Sequence, residues 1–165
     1  MDRITPQVSA VAISGNGDPA RFAAVAPGIP VLPDPVPGHP GPLAGLLAGL
    51  DHALASGFDW VLTVPGDAPL VPPDLAARLD AARRGGGTPA AYAASGGQAH
   101  PPVGLWSTAL RDDLRAALEG GERRVARWAK PHAAVAEWPA TPLDPFLNLN
   151  TPAEVAAAEA LLRGD

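Results

Sequence analysis

Cysteine is absent from the 165-residue sequence, lysine occurs once, and aromatic residues make up 5%. Without cysteine the chain has no disulfide bonds, no thiolate metal ligands and no cysteine nucleophile. Twelve basic residues against 17 acidic ones give a net charge of −5. The basic residues stand in ones and twos, so the chain lacks the basic patch typical of proteins that bind nucleic acid or anionic membranes. We therefore expect that the protein binds neither nucleic acid nor a membrane.

Long apolar runs are also missing. No run approaches the roughly 20 residues of a membrane-spanning helix, and the first residues lack the apolar core of a signal peptide. These patterns predict a cytoplasmic protein. The composition that is present, 47% hydrophobic and 18% charged, is typical of globular proteins. The length suits one domain with its own core, so we predict a single domain over residues 1–165.

Short apolar runs of β type alternate with helical patterns along the chain. Strands are predicted at 8–13, 29–32, 61–64, 90–94, 103–106 and 133–138. Helices are predicted from 43 to about 56, at 72–84, 110–119 and 122–129, and after Thr151. This alternation indicates βαβ crossovers, and therefore an α/β fold with a mostly parallel sheet that is covered on both faces.

Polar residues follow three of the predicted strands, at the point where each strand ends. These residues are Asn16, Asp34 and Asp67. Ligands of open α/β sheets bind outside the carboxyl ends of the strands. We therefore expect the three side chains to converge on one edge of the sheet.

Asp67 lies in a bend between Pro65-Gly66 and Pro69. A single carboxylate in such a place can hold Mg²⁺, because this ion takes one or two carboxylates and completes its shell with water and substrate phosphates. The alternative is that Asp67 is a turn residue, since aspartate and glycine are common in turns.

The segment 38–45 is a glycine-rich turn that leads into a helix. A helix amino terminus can bind an anion or a polar ligand. The segment matches neither the Walker loop nor the dinucleotide fingerprint, and a tight connection between strand and helix is an equally good interpretation.

Asn148 and Asn150 alternate with apolar residues, so their side chains point the same way just before a helix. That helix begins with Thr151, Pro152 and Glu154, which are typical of a capping box. Amides aimed into a crevice can donate to a ligand and accept from it. A cap and turn without a ligand is the alternative.

The histidines have no spacing typical of a zinc site, and His100 is expected to be an ordinary loop residue. Ser14 and Ser95 lack the sequence setting of a hydrolase nucleophile. The pair Arg123-Arg124 follows two glycines, and solvated surface is its simplest interpretation.

Together these segments resemble the molybdenum cofactor guanylyltransferase family, the MobA-like branch of the nucleotidyltransferase fold. The motifs that carry the resemblance are, in the family's order, those at 6–16, 34, 41–45, 64–69, 100–101, 121–125 and 148–154. The resemblance implies a Rossmann-like, three-layer α/β/α fold. It also implies transfer of GMP from GTP to molybdopterin with Mg²⁺ and release of pyrophosphate.

The resemblance further implies a role for each site residue. Asp67 would be the catalytic residue that holds Mg²⁺. Contacts to the nucleotide would come from Asn16, Asp34, Gly41, Pro42, Leu43, Gly45 and Asp67. Contacts to molybdopterin would come from Arg123, Asn148 and Asn150. Proteins that mature molybdoenzymes are implied as further partners.

One feature of the family is not found in this sequence. Members open with a strand and a glycine-rich phosphate loop that supplies a lysine, whereas the only lysine here is Lys130, far from any such loop. Two hypotheses follow. Either the parent protein is a guanylyltransferase and these 165 residues have low activity, or the chain is a non-catalytic subunit that binds nucleotide and pterin. A related cytidylyltransferase or sugar-phosphate nucleotidyltransferase is a third possibility.

Overall fold

Strands and helices alternate in the computed structural model, which describes residues 2–18, 20–23, 26–36 and 41–163. The strands are β1 (Ile13–Ser14), β2 (Val31–Leu32), β3 (Trp60–Thr63), β4 (Ala90–Ser95), β5 (Gln98–Ser107) and β6 (Ala133–Trp138). The helices are α1 (Ala20–Ala23), α2 (Pro42–Ala55), α3 (Leu75–Gly86), α4 (Arg111–Glu119), α5 (Val125–Ala129) and α6 (Pro152–Arg163). Among the described residues, no helix combines the length and the apolar character needed to cross a membrane.

Four of these strands form one sheet in the order β3-β5-β4-β6. β4 and β6 run parallel, whereas β5 is antiparallel to both of its neighbours. The predicted α/β class is therefore confirmed, but the sheet is mixed rather than mostly parallel. The reason is the turn Gly96-Gly97, where both residues have positive φ, 55° and 80°. Such a two-residue turn closes a β-hairpin, which forces β4 and β5 to run in opposite directions.

β1 and β2 form a second, parallel pair, and α2 packs against both sheets. Gly45 lets α2 approach β1 closely, because a Cβ atom at this position would lie 2.6 Å from the Oγ of Ser14. One turn later, a Cβ atom at Gly49 would lie 3.3 Å from Val61 in β3. The glycines of α2 thus bring the ends of β1 and β3 to the same helix face.

Two hydrophobic clusters lie on opposite faces of the larger sheet, because neighbouring strand residues point in opposite directions. Ala90 and Trp106 pack against α2, α4 and α5, whereas Ala91 and Leu105 pack against α3. These two helix layers with the sheet between them confirm the predicted three-layer α/β/α arrangement. Asp51 adds a polar link between α2 and α4 by accepting from Arg111 and Arg115, at 2.6 and 2.9 Å.

The indole of Trp106 fixes β5 to the carboxyl end of β3. Its Nε1 donates to the Oγ1 of Thr63 at 2.8 Å, and that hydroxyl donates to the carbonyl oxygen of Pro102 at 2.9 Å. The ring lies over Gly104, where a Cβ atom would come within 2.5 Å of it. A fully buried tryptophan therefore holds Thr63 at the end of β3, and Asp67 follows four residues later.

Candidate active site

Asn16 and Asp34 form a reciprocal pair just after β1 and β2. The Nδ2 of Asn16 donates to the Oδ2 of Asp34 at 2.6 Å, and the backbone N–H of Asp34 donates to the Oδ1 of Asn16 at 3.0 Å. Because β1 and β2 are parallel, their carboxyl ends lie side by side. The structure therefore brings these two predicted residues together, as the strand-end pattern indicated.

The first turn of α2 lies between this pair and the end of β3. Gly45 contacts β1 as described, while Pro42 and Leu46 line a small cleft with Thr63, Pro101 and Pro102. Leu43 is only 1% exposed and belongs to the core, so only its backbone could contact a ligand. Residues 38–40 of the predicted glycine-rich turn, including His39, lie outside the described residues.

Asp67 follows β3 in a tight turn, in which the N–H of Ala68 donates to the carbonyl oxygen of Pro65 at 3.2 Å. Within the described part of the chain, the Asp67 carboxylate makes no hydrogen bond or ion pair, and it is half-buried. The same described residues contain no cluster of three or more histidine, cysteine or acidic side chains that could hold a metal ion. One free carboxylate suits Mg²⁺ that is shared with substrate phosphates, and does not suit a cage made of protein ligands alone.

The segment 144–150, which we call the arm, lies beside Asp67. The backbone N–H of Leu149 donates to the carbonyl oxygen of Asp67 at 2.8 Å. Asn148 and Asn150 flank Leu149, are exposed, and make no side-chain hydrogen bond to any residue that the structure describes. The arm therefore brings the backbone of two asparagines, whose amides have no partner among the described residues, close to the backbone of Asp67.

The start of α6 holds the end of the arm with the predicted capping box. The Oε2 of Glu154 accepts from the N–H groups of Asn150 and Thr151, at 2.8 and 2.9 Å. In return, the N–H of Glu154 donates to the Oγ1 of Thr151 at 3.2 Å. The hydrogen bonds from the backbone of Asn150, then of Thr151, lower the pKa of Glu154 below its ordinary value.

Arg123 lies in the loop between α4 and α5. Its Nη1 donates to the carbonyl oxygens of Leu118 and Glu122, at 2.9 and 2.7 Å, and so caps the carboxyl end of α4. Val125, two residues later, lines the same cleft as Pro42 and Pro101. The loop therefore approaches the end of the site that is formed by α2. The guanidinium of Arg123 donates hydrogen bonds to the backbone there.

Comparison with known proteins identifies the family of this chain. The family model described as the MobA-like NTP transferase domain matches residues 1–135. The chain belongs to this family. A molybdenum cofactor guanylyltransferase of Rhodopseudomonas palustris (strain BisB5) is 48% identical over 169 residues, covering 100% of this chain and 80% of that protein. A molybdenum cofactor guanylyltransferase of Cereibacter sphaeroides is 51% identical over 166 residues, covering 99% of this chain and 81% of that protein.

A solved structure shows the same fold. The molybdopterin-guanine dinucleotide biosynthesis protein A of Archaeoglobus fulgidus superposes with a TM-score of 0.69 over 99% of this chain and 85% of that one. At 19% identity this likeness concerns the fold alone. It confirms the predicted nucleotidyltransferase architecture.

In this MobA-like domain the predicted site residues form two groups. Asn16, Asp34 and the first turn of α2 lie within the residues that the family model matches, whereas Asn148 and Asn150 lie beyond them.

Sequence reasoning missed a polar cluster of Ser95, His100 and Asp144, which supports the arm. The prediction that His100 is a loop residue is wrong, because His100 lies within β5. The Gly-Gly turn that closes the hairpin between Ser95 and His100 was the signal that could have revealed it.

Proposed function

We propose that the chain is a molybdenum cofactor guanylyltransferase that transfers GMP from GTP to molybdopterin and releases pyrophosphate. The observation that carries the proposal is the backbone hydrogen bond from Leu149 to Asp67, because it joins the arm with Asn148 and Asn150 to the residue whose carboxylate has no partner among the described residues. The names of the relatives at about half identity support it. A cytoplasmic location belongs to the proposal, since GTP is the donor.

The reaction needs positioning rather than a nucleophilic side chain. A phosphate oxygen of the acceptor forms a bond to the α-phosphorus of GTP while the bond from that phosphorus to the bridging oxygen breaks, and pyrophosphate leaves with the electron pair. Negative charge develops on the phosphoryl oxygens and the leaving group, so catalysis depends on charge neutralisation and alignment. We infer that Asp67 holds Mg²⁺ at this point, and the ion would supply the neutralising charge when bound.

The Asn16–Asp34 pair supports guanine as the base. After it accepts from Asn16, the Asp34 carboxylate keeps further lone pairs, and a carboxylate only accepts hydrogen bonds. Guanine offers two adjacent N–H donors on its Watson–Crick edge, whereas cytosine offers one amino group beside two acceptors. A carboxylate at this position therefore favours GTP over CTP.

The remaining predicted contacts complete the proposal. The backbone from Gly41 to Gly45, including Pro42 and Leu43, would lie along the nucleotide. The amides of Asn148 and Asn150 would face molybdopterin from the arm. Arg123 would contact molybdopterin from the loop between α4 and α5.

Calorimetric titration of the purified chain with GTP and Mg²⁺, and in parallel with CTP and Mg²⁺, tests the proposal. We expect GTP to bind at least about tenfold more tightly, which corresponds to one charge-assisted hydrogen bond. A folded chain that binds CTP equally well would exclude guanylyl specificity, and one that binds neither nucleotide would exclude the proposed site. Formation of the guanine dinucleotide from GTP and molybdopterin would then distinguish an enzyme from a binding subunit.

A further inference from the structure

A buried polar cluster anchors the arm to the hairpin of β4 and β5. The Oγ of Ser95 lies 2.8 Å from the Oδ1 of Asp144 and 2.7 Å from the Nε2 of His100. Ser95 is only 1% exposed, so its hydroxyl depends on these partners. The Oδ2 of Asp144 lies 3.8 Å from the Nε2 of His100. The three residues come from β4, β5 and the first position of the arm.

The direction of the hydrogen bonds follows from the inventory of donors. A carboxylate can only accept, so the single hydroxyl hydrogen of Ser95 must go to Asp144. The Oγ of Ser95 is then an acceptor, and the Nε2 of His100 must carry the hydrogen that it receives. The chain of donation therefore runs from His100 through Ser95 to Asp144.

This arrangement differs from that of a serine hydrolase. In a catalytic triad the carboxylate orients the second ring nitrogen of the histidine, and the serine proton goes to the histidine. Here the carboxylate itself accepts the hydrogen bond from the serine hydroxyl, and the serine is buried. The cluster consequently serves to hold Asp144 in place and has no activated nucleophile.

Asp144 transmits this anchoring to the arm. Its Oδ1 also accepts from the N–H of Phe146 at 2.9 Å, which shapes the first turn of the arm. Phe146 is buried, with its ring 5.1 Å from that of His100 and edge-on to Trp138 at 5.3 Å. The arm is thus fixed at Asp144 and Phe146, and next contacts the rest of the molecule where Leu149 donates to Asp67.

We propose that Ser95, His100 and Asp144 are positioning residues that hold the arm, and with it the amides of Asn148 and Asn150, beside Asp67 for the acceptor substrate. The acceptor part rests on the proposed function. Loss of the cluster frees the arm at one end, so the Leu149 hydrogen bond opens more often and the two amides lose their fixed direction. The nucleotide residues Asn16 and Asp34 lie on other elements and keep their geometry.

Hydrogen exchange of the Leu149 amide, measured by NMR on the complete chain, tests the anchoring without any need for activity. In Ser95→Ala and Asp144→Ala we expect exchange about tenfold faster than in the wild type, from the loss of charge-assisted hydrogen bonds. Asp144→Asn keeps an acceptor oxygen and should restore most of the protection. Thr108→Val is the matched control, because it removes a buried hydroxyl that donates to the carbonyl oxygen of Asp59, away from the arm.

Binding measurements test the role in acceptor recognition. Ser95→Ala should weaken the affinity for molybdopterin about tenfold and leave the affinity for GTP within about twofold, a split that general destabilisation would not give. Unchanged Leu149 exchange in Ser95→Ala, or an equal rise in Thr108→Val, would overturn the anchoring. Faster exchange with unchanged affinity for molybdopterin would overturn the acceptor role. A wild-type chain that binds no molybdopterin would contradict the proposed function and the acceptor role, and the exchange rates would still decide the anchoring.

Discussion

The backbone N–H of Leu149 donates to the carbonyl oxygen of Asp67, with 2.8 Å between nitrogen and oxygen. The backbone carbonyl of Asp67 is thereby occupied by the protein, while its carboxylate has no hydrogen-bond or ion-pair partner among the described residues. This one backbone hydrogen bond thus joins the turn after β3 to the arm, and it places the backbone of Asn148 and Asn150 close to that of Asp67.

Replacement of the Asp67 carboxylate should remove the Mg²⁺-dependent part of GTP binding. Asp67→Asn keeps the size of the side chain and removes its charge. We expect the factor by which Mg²⁺ raises the affinity for GTP to be at least about tenfold smaller than in the wild type. Calorimetric titration with and without Mg²⁺ measures this. Asp59→Asn, an exposed carboxylate at the other end of β3, is the control. An unchanged Mg²⁺ effect in Asp67→Asn would refute the assignment of the ion to Asp67.

Selectivity for the base should depend on the Asp34 carboxylate. In Asp34→Asn one acceptor becomes a donor, and the preference for GTP over CTP should fall by about tenfold. Competition between the two nucleotides for the same chain gives the ratio directly, with Asp59→Asn again as the control. If the ratio stays at its wild-type value, another part of the molecule selects the base.

The capping box should make the stability of α6 and the arm depend on pH. Because the pKa of Glu154 is lowered in the folded chain, its carboxylate stabilises the fold above the ordinary value of 4.5, and this stabilisation is lost as the pH falls through the lowered pKa. The wild type should therefore resist denaturant better than Glu154→Gln at pH 7, and the difference should shrink below about pH 4.5. Urea unfolding at both pH values measures this. Glu119→Gln, which replaces an exposed glutamate at the end of α4, is the control for the loss of one surface charge.

The close approach of Trp106 to Gly104 should make this strand position intolerant of any side chain. Gly104→Ala forces the buried indole from its place, and we expect a loss of about 1–3 kcal/mol in the free energy of unfolding. Gly85→Ala in α3 is the matched control, because a Cβ atom there meets nothing within 4 Å. In that variant the better helix propensity of alanine should raise stability by up to about 1 kcal/mol. Equal stability of the two variants would contradict the packing described for Trp106.

Local patterns predicted several elements correctly, although the strand predicted at 8–13 is only β1, Ile13–Ser14, in the structure. The leucine spacing of α2, the alternation of β6 and the Thr151–Glu154 capping box all have the predicted form. Each depends on contacts within a few residues, which periodicity and capping rules describe directly.

The direction of β5 relative to β4 has a local signal in the turn Gly96-Gly97, whereas the pairing of β3 with β5 and the support of the arm have none. The bond from Ser95 to Asp144 joins residues 49 positions apart, so neither residue type nor spacing indicates it. Asn16 and Asp34 could be predicted because ligands of α/β sheets bind at the carboxyl ends of the strands. This rule applies whichever strands pair with each other.

The register of the sheet also bears on the order in which the molecule folds. The β4–β5 hairpin closes over two residues and can form in microseconds, whereas pairing of β3 with β5 joins Thr63 to Gly104 across 41 positions and must overcome a larger loop-closure entropy. Ser95 and His100 lie on the hairpin, so we expect them to meet early, whereas Asp144 is 49 positions from Ser95 in the sequence. We therefore expect the anchoring of the arm to be a late step of folding, because it depends on the topology of the chain and not on local propensities.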